Sequence, residues 1–276
     1  MTSKVSIIIP CFNDADYIEQ SVQSAIDQTY KNKEIIVIDD GSDQKTKEVL
    51  KNIEPKIDKL IIQENLGVVI ARNNGIEAAK GEFILTLDSD DYFEPGFLEK
   101  SVKIMKEDHS IGMVTCWMSI KNEKDEVIRV DKPTGSPAFT AMFHNNAPAT
   151  LLYRKVCWEE VGGYDNNLLK GYEDWDFNIA VCKNGWKIHV IPEVLFNYRK
   201  TFFSRNKAAK NFYAEIRKYT YKKHKDLLVQ NIDQSIDLLL NEIETKNKEI
   251  TKLRNLKVYK FEKFFMKAFR KLKSYF

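Results

Sequence analysis

Short apolar runs and segments of helical period alternate through the first part of the chain. Residues 5–10, 34–39, 60–63 and 83–87 are largely apolar runs of strand length, several of them rich in β-branched residues. Between them, residues 14–28 place Ala15, Ile18, Val22, Ala25 and Ile26 at helical spacing, and residues 46–53 read as a second helix. Residues 68–79 predict a third helix ending at Lys80–Gly81, with glycine just past the last turn. Strands that alternate with helices predict a mainly parallel sheet with right-handed crossovers. Ligands of such sheets bind outside the carboxyl ends of the strands. Two of these strands end in carboxylates, at Asp39-Asp40 and at Asp88-Ser89-Asp90-Asp91.

The second half is mixed. Residues 112–120 and 126–130 read as a hairpin, 147–153 as a strand, 154–161 and 172–184 as helices and 186–190 as a strand. From about Asn206 onward the pattern is almost entirely helical. Ile232, Ile236, Leu239, Ile243, Ile250 and Leu253 follow heptad-like steps, interrupted at Lys246. The expected organisation is an α/β domain over residues 1–221 and a helical tail over 222–276. Within the tail, a heptad segment covers about 229–254 and a basic amphipathic helix about 255–276.

Charge separates body from tail. The net charge of +3 over 276 residues combines +9 in residues 246–276 with −6 in the rest. With 43% hydrophobic and 30% charged residues, the chain is neither disordered nor collagen-like, and no run approaches the ~20 apolar residues of a spanning helix. The four cysteines are widely spaced with no C-x-x-C pair, and no export signal precedes the first strand. These features predict a reduced, cytosolic chain without structural zinc.

Four clusters carry candidate chemistry. Asp88-Ser89-Asp90 follows an apolar strand, where two carboxylates can face one small volume and hold Mg²⁺ or Mn²⁺ together with substrate phosphates. The alternative is an acidic turn that caps the next helix. Asp39-Asp40-Gly41-Ser42 offers carboxylates to a nucleobase or ribose, with Gly41 allowing close backbone approach; a plain Asp-Gly turn is the alternative. Arg72, near a helix start after Asn65-Leu66-Gly67, suits a diphosphate or a carboxylate of the site. Tyr172-Glu173-Asp174-Trp175-Asp176 opens a helix and offers a carboxylate base, with Trp175 as an apolar face for a sugar ring. Phosphate-binding glycine loops, G-x-S-x-G and H-E-x-x-H are absent.

Residues 5–13, 39–42, 65–67, 71–75, 88–91 and 173–174 occur in the order and spacing of the glycosyltransferase family 2 domain, and the chain resembles that family over about residues 3–200. The resemblance implies the GT-A fold, inverting transfer from a nucleotide-activated sugar (a UDP-sugar favoured) and dependence on Mn²⁺ or Mg²⁺. By position, Pro10 and Asn13 then line the nucleotide pocket, and Asp40 holds the base with Asp39 beside it. Arg72 lies near the base and metal end. Asp88, with Ser89 beside it, is the ribose- or sugar-side carboxylate and Asp90 the metal ligand, with Asp88 able to share the metal. Asp174 is the general base, with Glu173 as second candidate. Many relatives carry a histidine shortly after the pair that is Tyr198-Arg199 here. This chain has Phe202-Phe203 there, which leaves Arg199, Lys200 and Arg205 as candidate diphosphate contacts.

The implied acceptor is a hydroxyl of a glycan or glycolipid in bacterial surface polysaccharide assembly. A nucleotidyltransferase on the same sheet, or a non-catalytic sugar-nucleotide-binding protein, are the alternative functions. In the tail, Val258, Phe261, Phe265, Phe269, Leu272 and Phe276 recur at helical spacing among lysines, which predicts an anionic membrane surface as partner in preference to nucleic acid. Packing on the body is the competing expectation, and the heptad segment predicts a homo-oligomer. The expected location is the inner face of the cell membrane, peripherally bound.

Overall fold

The computed structural model describes residues 3–200 and 209–255, and the chain divides into two compact units at Leu227 and Leu228. In the first unit, β1 (Val5–Cys11) is buried at every position and pairs in parallel with β2 (Lys33–Asp40) and β4 (Phe83–Thr86). β3 (Lys59–Gln63) extends the sheet beyond β2. A strand covered on both faces needs apolar side chains at successive positions, which explains the uninterrupted runs. Ile7 and Ile9 of β1 enter one core with Ile18 and Val22 of α1 (Ile18–Ile26) and with Phe97 and Val102 of α4 (Phe97–Glu107). Ile8 enters the other with Val69 and Ile76 of α3 (Val68–Glu77) and Phe177 and Val181 of α7 (Glu173–Lys183). α2 (Gln44–Ile53) is capped by Asp43, whose carboxylate accepts from the Thr46 amide at 2.8 Å.

The sheet is mixed beyond β4. β8 (Leu152–Arg154) lies antiparallel between β4 and β6 (Ile111–Lys121), and β6 runs parallel to β9 (Lys187–Arg199). β5 (Tyr92–Phe93) pairs antiparallel with β9, giving the order β3-β2-β1-β4-β8-β6-β9-β5. β7 (Val127–Asp131) forms the expected hairpin with β6. α5 (Ala138–Ala141) and α6 (Lys155–Val161) are short.

Three differences from the sequence reading have local causes. The strand expected to end at Val190 continues to Arg199. Cys116 pairs with Ile191 and Trp117 with Val194, so the ladder steps past Pro192 and Glu193 in an irregularity that accommodates a residue without an amide hydrogen. The strand expected over 147–153 contracts to β8. α4 was not anticipated, although Phe97, Leu98, Val102 and Met105 are its buried face.

α8 (Tyr213–Lys223) completes the first unit. The boundary expected at 221/222 falls inside this unit, where Lys223 and His224 both bind the buried carboxylate of Asp176, at 2.6 and 2.9 Å. α9 (Lys225–Gln230) follows, and the second unit is chiefly α10 (Ile232–Asn255). The heptad positions 232–253 lie on α10, where Ile232, Ile236, Ile243, Ile250 and Leu253 are exposed. The basic helix expected over 255–276 lies outside the described residues except at Asn255. Among the described residues no helix is long and apolar enough to cross a membrane.

Candidate functional site

Strand ends deliver the acidic clusters to one rim. β1 carries Pro10 to the rim, and the chain then turns through Asn13 in the left-handed region at φ 59°. Asn13 is tied to the next strand end: its amide donates to Ser42 Oγ at 3.1 Å, and its Oδ1 accepts from the Asp43 amide at 2.7 Å. Asp39 and Asp40 end β2 and are buried. Asp39 accepts from the Ser42 amide at 2.9 Å. Asp40 accepts from Gln63 Nε2 and the amides of Leu66 and Gly67 at 2.8–2.9 Å, so it fastens the Asn65-Leu66-Gly67 loop to β2. The close approach foreseen at Gly41 is to that loop. A Cβ there would lie 2.7 Å from the Asn65 amide nitrogen, and φ is +74°.

The loop after β4 is held from several directions. The Asp91 amide donates to the Asp88 carbonyl at 3.1 Å, Ser21 Oγ donates to the same carbonyl, and Arg199 Nη1 donates to the Asp90 carbonyl at 2.8 Å. The Arg199 amide donates to Asp91 Oδ1 at 2.7 Å. Ser89 is buried and donates through Oγ to Asp14. With the backbone fixed, the Asp90 carboxyl receives no hydrogen bond from another residue among the described residues. Its burial, together with the nearby charges of Asp88 and Asp14, pushes it up to about 7. Burial pushes Asp14 up as well, against the Ser89 hydrogen bond.

Arg72 joins this loop to the helix that carries the candidate base. It sits one turn into α3, is 2% exposed, and donates through Nη1 to Glu173 Oε1 at 2.7 Å and through Nη2 to Asp88. Its guanidinium carbon lies 5.8 Å from the centre of the Tyr164 ring. The two carboxylates hold Arg72 firmly protonated despite its burial. Tyr172 caps α7 in the left-handed region at φ 62°, and Glu173, Asp174 and Asp176 occupy the first turn, where the helix dipole favours negative charge. Glu173 is buried, whereas Asp174 is half-buried and accepts from Asn145 Nδ2 at 3.3 Å.

The structure therefore brings Asp88, Asp90, Arg72 and Glu173 together, with Asp174 following Glu173. Two expected contacts are placed differently. Trp175, expected to offer its face to a sugar, is 4% exposed. Its Nε1 donates to the Ala141 carbonyl and its ring stacks with Tyr213 at 6.3 Å, so it is a packing residue. Arg199 is 6% exposed and spends its guanidinium on the Asp90 carbonyl, Gln20 Oε1 at 2.6 Å and the Tyr17 ring, so it shapes the acidic loop in place of meeting a diphosphate. Lys200 is exposed, and Arg205, with Phe202-Phe203, lies outside the described residues. Sequence reasoning missed Asp14, whose signal was a carboxylate directly after Asn13 at a strand end, and Asp91, the fourth member of the acidic run.

The sequence profile of the family described as "Glycosyl transferase family 2" matches residues 6–183. The chain belongs to glycosyl transferase family 2. Within that family it is similar to an uncharacterized glycosyltransferase of Methanocaldococcus jannaschii, 27% identical over 80% of this chain and 81% of the relative. It is also similar to TuaG of Bacillus subtilis, named for teichuronic acid biosynthesis, 29% identical over 71% of this chain and 78% of TuaG. Among solved structures it resembles Staphylococcus aureus TarS 1–349 in complex with UDP-GlcNAc. That match has a TM-score of 0.61 and 22% identity and covers 74% of this chain and 61% of that one. A longer TarS chain matches at TM-score 0.60 over 37% of its length, so the likeness spans 37–61% of these TarS chains. The family 2 domain here thus has the GT-A fold, with the mixed sheet and helices described above.

Proposed function

We propose that this family 2 chain transfers a sugar from a nucleoside-diphosphate sugar, a UDP-sugar in first place, to a hydroxyl of a glycan or glycolipid acceptor, with inversion at the anomeric carbon. The observation that carries the reading is the buried Asp88–Arg72–Glu173 bridge, which locks the acidic loop after β4 to the helix turn bearing Asp174. Donor and acceptor chemistry are thereby held in one frame. The relatives named for teichuronic acid biosynthesis and for UDP-GlcNAc binding support a polysaccharide setting and a UDP-sugar.

Asp90, which receives no hydrogen bond from another described residue, and the part-exposed Asp88 beside its bond to Arg72 suit a hard divalent cation that completes its shell with phosphate oxygens and water. They would hold Mn²⁺ or Mg²⁺, which when bound supplies positive charge beside the diphosphate. Pro10, Asn13 and the Asp39–Asp40 strand end would line the nucleotide. Asp174 takes the proton from the acceptor hydroxyl as that oxygen attacks the anomeric carbon. The carbon–oxygen bond to the diphosphate breaks on the opposite face, and a single displacement inverts the centre. Glu173 is committed to Arg72, which favours Asp174 as the base.

The tail adds a peripheral anchor: residues 255–276 bind an anionic membrane surface, and the exposed apolar positions of α10 pair with a second copy. A thermal-shift screen of nucleotide sugars with and without Mn²⁺ tests the donor reading. A UDP-sugar should raise the melting temperature more with the metal than without. A set of nucleotide sugars that leaves it unmoved in both conditions would overturn the reading.

A further inference from the structure

α8 and the start of α9 form a cationic, tyrosine-walled groove beside the Asp174 turn. The groove has a volume of about 550 Å³ and is lined by Tyr213, Arg217, Lys218, Tyr221, Lys222 and Lys225. Arg217 organises the aromatic wall: it donates to the Tyr221 hydroxyl through Nε at 2.8 Å and to the Tyr213 hydroxyl through Nη1 at 3.2 Å. Lys218, Lys222 and Lys225 are exposed along one face, spanning about 10 Å at the helical rise. No carboxylate among the described residues forms an ion pair with these three lysines. The nearby carboxylates are engaged elsewhere, Glu215 with Lys170, Asp226 with Lys183 and Asp165 with Lys223.

Both ends of this groove pack on segments that hold the candidate base. Tyr213 packs at 5.6 Å against Tyr172, the residue that caps α7, and stacks on Trp175, the neighbour of Asp174. Tyr221 packs edge-on against Phe143, two positions before Asn145, which donates to Asp174. The groove therefore adjoins both segments that hold Asp174, the start of α7 and residues 143–145. It is distinct from the acidic rim that takes the donor.

We infer that this groove is the acceptor track and that the acceptor is a polyanionic glycan, bearing carboxylate or phosphodiester groups along its length. The inference rests on the glycosyl-transfer reading above. Charge complementarity selects the ligand: three cations in a row, without carboxylate partners among the described residues, attract repeated anions. A neutral glycan would leave the lysines unused, and a membrane surface would have no need of the tyrosine-walled concavity.

The test is binding of hexagalacturonate to the full chain by calorimetry, with maltohexaose as the uncharged control. Wild type should bind the charged hexamer in preference to the neutral one. Lys218→Glu/Lys222→Glu/Lys225→Glu should weaken it about tenfold or more, since three exposed ionic contacts are lost and reversed. The milder Lys218→Gln/Lys222→Gln/Lys225→Gln chain should move in the same direction and guards against misfolding. Reversal of tail lysines, Lys260→Glu/Lys263→Glu/Lys267→Glu, should leave most of the affinity. Hydrogen exchange with the hexamer bound should slow over 142–146, 172–176 and 213–225. The inference is overturned by equal binding of both hexamers, by loss on tail reversal alone, by protection elsewhere, or by lysine-dependent binding to phosphatidylglycerol vesicles without binding to the hexamer. UDP binding, measured separately, reports on the donor site. Its absence alongside hexamer binding at α8 counts against the donor reading and leaves α8 as a polyanion-binding groove without an acceptor role.

Discussion

At the scale of single residues, two neighbouring carboxylates differ in burial and in the partner that holds them. Glu173 is buried against Arg72, while Asp174 is half-buried with a long hydrogen bond to Asn145. Asp174→Asn should lower transfer by about 10²–10⁴-fold, the usual size of a general-base contribution, and leave donor binding intact. Nucleoside diphosphate release with acceptor present is the readout, and near-normal turnover would move the base elsewhere. Asp90 supplies a second prediction. Its carboxyl titrates at about 7 in the folded, metal-free chain but at about 4 when unfolded. The native state therefore holds a proton that the unfolded state releases between those values, and the native state loses stability through this group as pH rises from about 4 to about 7. Melting curves in chelator should show wild type losing stability relative to Asp90→Asn across this window and levelling off above it. Parallel curves would mean that Asp90 is not held up by burial. Much of this was legible in the sequence: the acidic ends of β2 and β4 and the start of α7 were placed by pattern alone. The fates of Trp175 and Arg199 were not, because stacking on Tyr213 and hydrogen bonding to Gln20 depend on contacts distant in sequence.

At the scale of elements, the site is held by a cross-link between α3 and the first turn of α7. Removing one partner of a buried ion pair strands the other charge, which costs roughly 3–5 kcal/mol. Glu173→Gln keeps the shape and one hydrogen bond, so a loss of about 3 kcal/mol is expected, visible as a lower midpoint in urea. An unchanged midpoint would show that Arg72 is satisfied without Glu173. The parallel half of the sheet was readable because β1, β2 and β4 are buried on both faces and α1 and α2 carry a clean helical period. The mixed half was less readable for a physical reason. Pro192 ordinarily ends a strand, and only the irregular pairing with β6 lets β9 run on to Arg199, which then grips the acidic loop.

At the scale of the whole molecule, the acidic site and the basic tail belong to separate compact units. A chain ending at Leu227 retains the Lys223 and His224 contacts to Asp176 and every described site residue, so it should keep nucleotide binding. It should lose flotation with anionic liposomes, because the net +9 of residues 246–276 goes with the tail, each basic residue near such a surface contributing about 1 kcal/mol. Equal absence of flotation for the full chain on anionic and neutral vesicles would remove the membrane role. The central claim is that the acidic rim at the ends of β1, β2 and β4 forms a metal-dependent donor site, and calorimetric titration of UDP into wild type and Asp90→Asn, with and without Mn²⁺, tests it most directly. The account predicts Mn²⁺-dependent UDP binding to wild type and loss of that dependence in a folded Asp90→Asn chain; UDP binding of equal strength in all four conditions would contradict it.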